Sequence, residues 1–266
     1  YAGDLRLKNA GVIVKNRAQA TLHATPIEFG VLGLMPADKF EQVSKGLVGA
    51  MVINPAGTTC VEDAGTRAQA TCSITGTSTS WRDFVSVTQT SVNQRFATLD
   101  PDPNKRFRAI GNFRAEGAGV PADSQDSGNK AINYKTEPVW FRLALFPPTT
   151  PPELMRNFPQ AAVYSNVQVG GDPQTPVFTA TRGSAVRMHF AEPGGGSNGL
   201  LEGPTRVGNN PVSQKIGHQE GYGSAEHFDV LLPSAGGAFG IIGDYYYGMQ
   251  DPSLIIPGMW GVMRVQ

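Results

Sequence analysis

The chain has 266 residues, and its 22 Lys+Arg are balanced by 22 Asp+Glu. Zero net charge and the lack of any clustered Lys/Arg run exclude a polyanion-binding surface, which needs a cationic excess or a basic stripe. The longest apolar stretches, such as Val139 to Phe146 with Arg142 inside it, fall far short of the ~20 residues of a spanning helix. Neither nucleic acid nor a membrane span is therefore expected.

With 32 Gly, 20 Pro and 17% charged residues, the composition argues against long helices and for an all-β chain of short strands, of a kind often secreted. A hydrophobic content of 40% suffices for one or two packed domains. The chain opens on Tyr1-Ala2-Gly3-Asp4 without an initiator Met, which reads as a processed, proteolytic piece.

In chain order, Val12-Ile13-Val14 is the first short strand pattern. Pro36 to Val43 suits one or two helical turns, since Pro is tolerated at a helix start. Further strand patterns are Leu47 to Ile53, Phe84 to Thr88, Trp140 to Phe146, Val177 to Thr181, Val186 to Phe190, His227 to Leu232 and Gly261 to Val265. They are rich in β-branched and aromatic residues, and turn formers bound most of them. Strands at this spacing make a sandwich or barrel. Residues 98–130 and Pro147 to Pro152 read as long surface loops.

Cys60 and Cys72 lie in a Gly/Thr/Ser-rich stretch from Gly57 to Ser80. The pair reads as a disulfide closing a short loop, a constraint of ~2–3 kcal/mol in an oxidising compartment; two free thiols are the alternative. Neither has a His close by in sequence, so no metal role is expected for them.

One short repeat is present. Gly46 to Ile53 and Gly258 to Val265 share the pattern Gly-Leu/Met-x-Gly-x-Met-x-Ile/Val. Each reads as the last strand of a domain, which divides the chain into 1–57, a linker over 58–80 carrying the Cys pair, and 81–266 with a long 98–130 insertion. About 55 residues cannot bury a sufficient core alone. The first segment therefore reads as the back half of a domain whose front lies upstream or on another chain.

The repeated strand resembles the closing strand of cupredoxin domains in multicopper oxidases. Thr25-Pro26-Ile27-Glu28-Phe29-Gly30, Ala131 to Pro138, Gly170 to Phe178, Glu192-Pro193-Gly194-Gly195, His227-Phe228-Asp229-Val230 and Gly243-Asp244-Tyr245-Tyr246-Tyr247 extend the similarity. Together they resemble the large bacterial multicopper-oxidase-like proteins, including manganese-oxidase-like members. The resemblance implies an all-β, cupredoxin-like Greek-key β-sandwich, one complete domain plus the back half of a preceding one.

The family's copper motifs are missing. A mononuclear copper needs a Cys thiolate, two His and an axial Met, and a trinuclear cluster needs four His-x-His pairs. This chain has four His in all, His23, His189, His218 and His227, and no His-x-His. Where Tyr-His-Cys-His is expected, it reads Tyr247-Gly248-Met249-Gln250. No copper cofactor is therefore expected in this chain, although a parent assembly could hold one.

The remaining metal candidates are His218 and His227, which flank a turn near Glu220 and Glu226, at a spacing that fits no established signature. The plainer alternative is a solvated His218 and a strand-start His227. His189 alternates with Arg187 and is expected on a polar face. Met249, Met259 and Met263 read as core packing, and Tyr246 should face away from Tyr245 and Tyr247. Gly194-Gly195-Gly196 precedes no helix start and is no phosphate loop; no nucleophile elbow accompanies either His.

The function expected is structural: a copper-ligand-depleted cupredoxin segment that packs against other cupredoxin domains. The alternative is one part of an active multicopper oxidase, oxidising a metal ion or phenol, whose copper ligands lie in a companion chain or in missing segments. Expected partners are the remainder of such a polypeptide or a companion chain, with homo-oligomers through free sheet edges a third reading. The expected location is extracellular or periplasmic.

Overall fold

The computed structural model describes residues 4–7, 22–25, 30–38, 41–44, 46–92, 96–98, 108–110, 129–135, 137–143, 164–165, 167–193, 199–202, 218–223, 225–250, 252–255 and 258–266. Two hairpins come first. They are β1 (Asp4–Leu7) with β2 (Leu22–Thr25), and β3 (Gly30–Leu34) with β4 (Gly49–Ile53), the latter bracketing one helical turn, α1 (Glu41–Ser44). β5 (Thr58–Glu62), β6 (Gln69–Ile74) and the long β7 (Ser80–Val92) follow as antiparallel neighbours.

After β8 (Phe96–Thr98), β9 (Arg108–Ile110) and β10 (Asn129–Ile132) comes a second turn of helix, α2 (Val139–Arg142). Then come β11 (Val177–Ala180), β12 (Val186–Ala191), β13 (Gly199–Glu202), β14 (His218–Tyr222), β15 (His227–Leu232) and β16 (Gly243–Met249). A last helical turn, α3 (Pro252–Ile255), leads into β17 (Trp260–Val265).

Two sheets face each other. One runs β15-β12-β7-β6-β5 with β10 also on β7; the other runs β11-β17-β16-β13-β14. Each contains one parallel pair, β7 with β12 and β11 with β17, among antiparallel neighbours. The chain crosses between the sheets at β10 to β11, β11 to β12, β12 to β13, β14 to β15 and β15 to β16. This is an all-β sandwich of two facing sheets, as expected from the sequence.

Strand alternation supplies the core. Phe84, Met188, Phe190 and Val230 project from the first sheet and Phe178, Tyr247, Met249 and Met263 from the second, all buried in one cluster. Phe84 stacks on Phe178 with ring centroids 4.9 Å apart, and Phe178 stacks on Tyr247 at 5.0 Å. Met249, Met259 and Met263 are core residues, as expected. Tyr246 faces the other way, into a smaller cluster with Trp260, Val262 and Val139 on the outer side of the second sheet.

Two expectations change. Residues 58–80 are not a linker but the β5–β6 hairpin, whose regular alternation lets it extend the first sheet beside β7. The strand expected over Trp140 to Phe146 is helical at Val139–Arg142, with the Arg142 N–H donating to Pro138 O at 3.2 Å and Leu143 to Val139 O at 3.0 Å. The reason is Arg142, which forms a buried ion pair with Glu137 at 3.0 Å. A strand would hold residues five apart at ~16 Å. The 98–130 insertion is described only at Thr98, at β9 and at the start of β10, and Val12 to Val14 lie outside the described residues.

The sequence repeat has a structural basis. Gly46 and Gly258 both stand at positive φ, 84° and 123°. Each caps a helical turn: Gly46 N–H donates to Val43 O (2.8 Å) and Leu47 N–H to Gln42 O (2.9 Å). Likewise Gly258 N–H donates to Ile255 O (2.9 Å) and Met259 N–H to Leu254 O (3.0 Å). This paired 6→1 and 5→2 pattern is a Schellman motif, and it requires a residue free of Cβ strain. Helical turn, capping glycine and closing strand thus occur twice.

A Cβ at Gly46 would make only ordinary contact, 3.6 Å from the Tyr134 ring, so any cost there is conformational. Gly46→Ala is predicted to lower the unfolding free energy by ~1–2 kcal/mol in denaturant titration. Gly49→Ala, in the strand that follows and with ordinary space around it, should change it little.

Candidate functional site

The outer face of the first sheet carries the polar chemistry. Alternation that sends Phe84, Met188 and Val230 inward sends Asp83, His189 and Asp229 outward from three adjacent strands. His189 lies opposite Asp229 across the β12–β15 pair, and Arg187 opposite Asp83 across the parallel β12–β7 pair. His189 Nδ1 meets Asp229 Oδ1 at 2.5 Å and Nε2 meets Asp83 Oδ1 at 2.5 Å. One imidazole therefore bridges two carboxylates.

This bridge is buried, with His189 at 1% and Asp83 at 6% exposure. The cover is β3, which lies across β12 and β15. Val31, fully buried, donates its N–H to Asp229 Oδ1 at 3.3 Å. The residue before it is Gly30, where a Cβ would overlap the Asp229 carboxylate. Beside the hairpin a cleft of about 750 Å³ opens, walled by Gly49, Ala50, Val85, Val87, Arg67 and Lys135.

Burial disfavours the charged ring, but the hydrogen bonds and charges of Asp229 and Asp83 outweigh it and push the His189 pKa up to about 9. The ring is therefore an imidazolium at neutral pH, hydrogen-bonded to Asp229 through Nδ1 and ion-paired with Asp83 through Nε2. Neither nitrogen has a lone pair left for a metal.

On its other side Asp83 reaches the disulfide. Asp83 Oδ2 lies 3.3 Å from Cys72 Sγ. Cys60 and Cys72 are directly opposed on β5 and β6, with Cα atoms 4.1 Å apart, and form the disulfide expected from the sequence. Cys72 is buried and Cys60 is exposed on the edge strand. Among the described residues these three are the group of close Cys, His, Asp and Glu donors of metal-binding size.

The sequence-derived candidates lie elsewhere. His218 is in β14, opposite Glu202 in the second sheet, and its side chain lies outside the described residues. His227 opens β15 in the first sheet, opposite Ala191, and is exposed. His23 is in β2, opposite Arg6. His189, expected on a polar face, is on the outer face as alternation requires, but that face is roofed by β3. The sequence signal for the bridge is an acid within each of two apolar strands, Asp83 in Trp81 to Val87 and Asp229 in His227 to Leu232.

Copper fits poorly at the strand end where the resembled family holds it. Tyr247 and Met249 are fully buried in the core. The Tyr247 hydroxyl donates to Pro176 O at 2.8 Å, burial pushes its pKa up, and Met249 pairs through its backbone with Met259. No thiolate is available there, and no mechanistic step through copper is assigned to these residues.

No protein-family model matches the chain, and no curated protein matches it in sequence. Among solved structures it is similar to the copper nitrite reductase of Nitrosomonas europaea, over 100% of this chain and 75% of that one, with 13% identity and a TM-score of 0.42. It is also similar to the Cu-containing nitrite reductase of Thermus scotoductus SA-01, over 34% of this chain and 22% of that one, with 18% identity and a TM-score of 0.24.

A pKa raised in the fold makes the bridge stabilising while His189 is charged. Its contribution is complete below about 6.5, the ordinary value, and is lost as pH rises through about 9. Denaturant titrations across that window should show falling stability, and His189→Gln should flatten the slope. An equal slope in the variant would place the titrating group elsewhere. Asp83→Ala, which removes one partner of a buried pair, should cost ~3–5 kcal/mol.

Proposed function

We propose that the chain is a structural, copper-ligand-depleted cupredoxin-like segment whose work is to pack against other cupredoxin domains. The observation that carries this reading is the end of β16, where Tyr247-Gly248-Met249 fills the core instead of supplying a thiolate. The fold retains its sheets while the positions that would carry chemistry are given to packing, and a fold without its site residues implies no reaction. His218 and His227 remain proposals as ligands, and His227 lies outside any close donor group among the described residues.

Residues 1–57 are read as the back half of a preceding domain. Among the described residues the β3–β4 hairpin pairs with no further strand, and Leu34, Leu47 and Met51 on it are 49%, 59% and 47% exposed. An apolar two-stranded surface of this kind invites a partner. The same surface favours the second reading, in which the chain is part of an oxidase whose copper lies in the remainder of the polypeptide or in a companion chain. A disulfide, together with no helix among the described residues long and apolar enough to cross a membrane, supports an extracellular or periplasmic location.

Intact-mass analysis of the native preparation with copper quantification tests both. A single species at 28.3 kDa without stoichiometric copper or a thiolate-to-copper absorption band is expected. A heavier assembly with a His-rich companion and several coppers would replace the structural reading with the second one.

A further inference from the structure

We infer that Cys60, Cys72 and Asp83 form a redox-gated site for a thiophilic divalent cation of the Zn²⁺ class, closed while the disulfide stands and opened by a dithiol reductant. The two sulfurs and a carboxylate oxygen of Asp83 all lie within 4.8 Å of one another. Two thiolates and a carboxylate suit zinc, which prefers sulfur, nitrogen and oxygen donors in tetrahedral sites and accepts water at a fourth position.

The site is built by the sheet and does not rely on the disulfide for its geometry. Cys60 and Cys72 are opposed in a ladder that continues on both sides, Thr59 to Ser73 and Val61 to Thr71. Breaking the sulfur–sulfur bond leaves that register in place. Asp83 is held independently, from β7, by the 2.5 Å contact of its Oδ1 with His189 Nε2. This ion-pair contact is a supporting interaction that fixes a ligating carboxylate.

Asp83 Oδ2 supplies the second observation. It belongs to a 6% exposed residue and faces Cys72 Sγ at 3.3 Å. A disulfide sulfur bears no hydrogen, so this buried oxygen is aimed at an atom that cannot donate to it, a costly arrangement. Reduction gives it a thiol donor, and a cation between oxygen and sulfurs satisfies all three. Cys60 stands on the exposed edge strand, which leaves the path for reductant and cation.

The balance is simple. A dithiol passes two electrons and two hydrogens to the sulfur–sulfur bond, giving two cysteine thiols and the oxidised, disulfide form of the reductant. The cation then displaces the two thiol protons to solvent. Three anionic donors hold it, and the fourth position takes water on the Cys60 side.

The test uses the whole chain, reduced with dithiothreitol, freed of reductant under anaerobic conditions and dialysed against zinc. One zinc per reduced chain, none on the oxidised chain, and a thiolate-to-metal charge-transfer band when cobalt replaces zinc are expected. Asp83→Asn should weaken zinc binding at least ~10-fold while both thiols remain titratable. The inference is overturned if the reduced chain takes up no zinc, or if the oxidised chain or a Cys60→Ser/Cys72→Ser chain binds it equally. Loss of the strand circular-dichroism signal on reduction would also overturn it, because the ladder would then not hold the site.

Discussion

A charged imidazole has been placed where water cannot reach it, and much of the first sheet is arranged around that fact. His189 can remain protonated in a buried position only because a carboxylate stands at each ring nitrogen. Those carboxylates come from the strands on either side, β7 and β15, so the parallel β7–β12 register and the antiparallel β12–β15 register must both be correct. A one-residue slip in either would turn an acid into the apolar core and leave the ring uncompensated. The pairing thus fixes register as well as charge. The roof, β3, depends on the same group through Val31, and its Gly30 is required by the closeness of the Asp229 carboxylate.

A second buried pair, Glu137 with Arg142, organises the opposite side. Arg142 also donates to Gly171 O at 2.6 Å, Gln174 N–H donates to the Glu137 carboxylate at 2.6 Å, and Trp260 Nε1 donates to Glu137 O at 3.0 Å. Full satisfaction of a buried ion pair in this way offsets its desolvation. It ties α2 to β17 and covers the outer face of the second sheet. Both sheets are therefore clad on their outer sides, one by the β3–β4 hairpin and the other by α2 with Tyr164, whose ring lies 4.9 Å from Trp260.

The duplicated closing unit shows how one local solution serves two environments. The capping glycine and the strand after it are alike in both copies, because a helical turn reversing into a strand meets the same backbone constraint each time. The surroundings differ. β17 has neighbours on both edges and is buried along most of its length, whereas among the described residues β4 has β3 alone. That difference, and not the motif, decides that one copy lies inside the sandwich while the other carries exposed Leu47 and Met51.

Much was legible in the residues themselves. Gly and Pro content with β-branched runs determined an all-β chain, the Cys60 and Cys72 pair determined its disulfide, and period-two alternation assigned Tyr246 and Tyr247 to opposite faces. The lack of a Tyr-His-Cys-His segment and of any His-x-His pair was the ground for expecting no copper centre of the resembled kind in this chain. Alternation also put His189 on the outer face, but no local pattern says whether an outer face is wet. That was decided by a strand placed over it, through a contact between Val31 and Asp229 that are 198 residues apart in the chain. In the same way, Trp140 to Phe146 has strand-like composition, and the burial of Arg142 against Glu137 is what makes Val139–Arg142 helical. Propensity and periodicity act over a few residues, whereas the cost of burying a charge is set by every group folded around it.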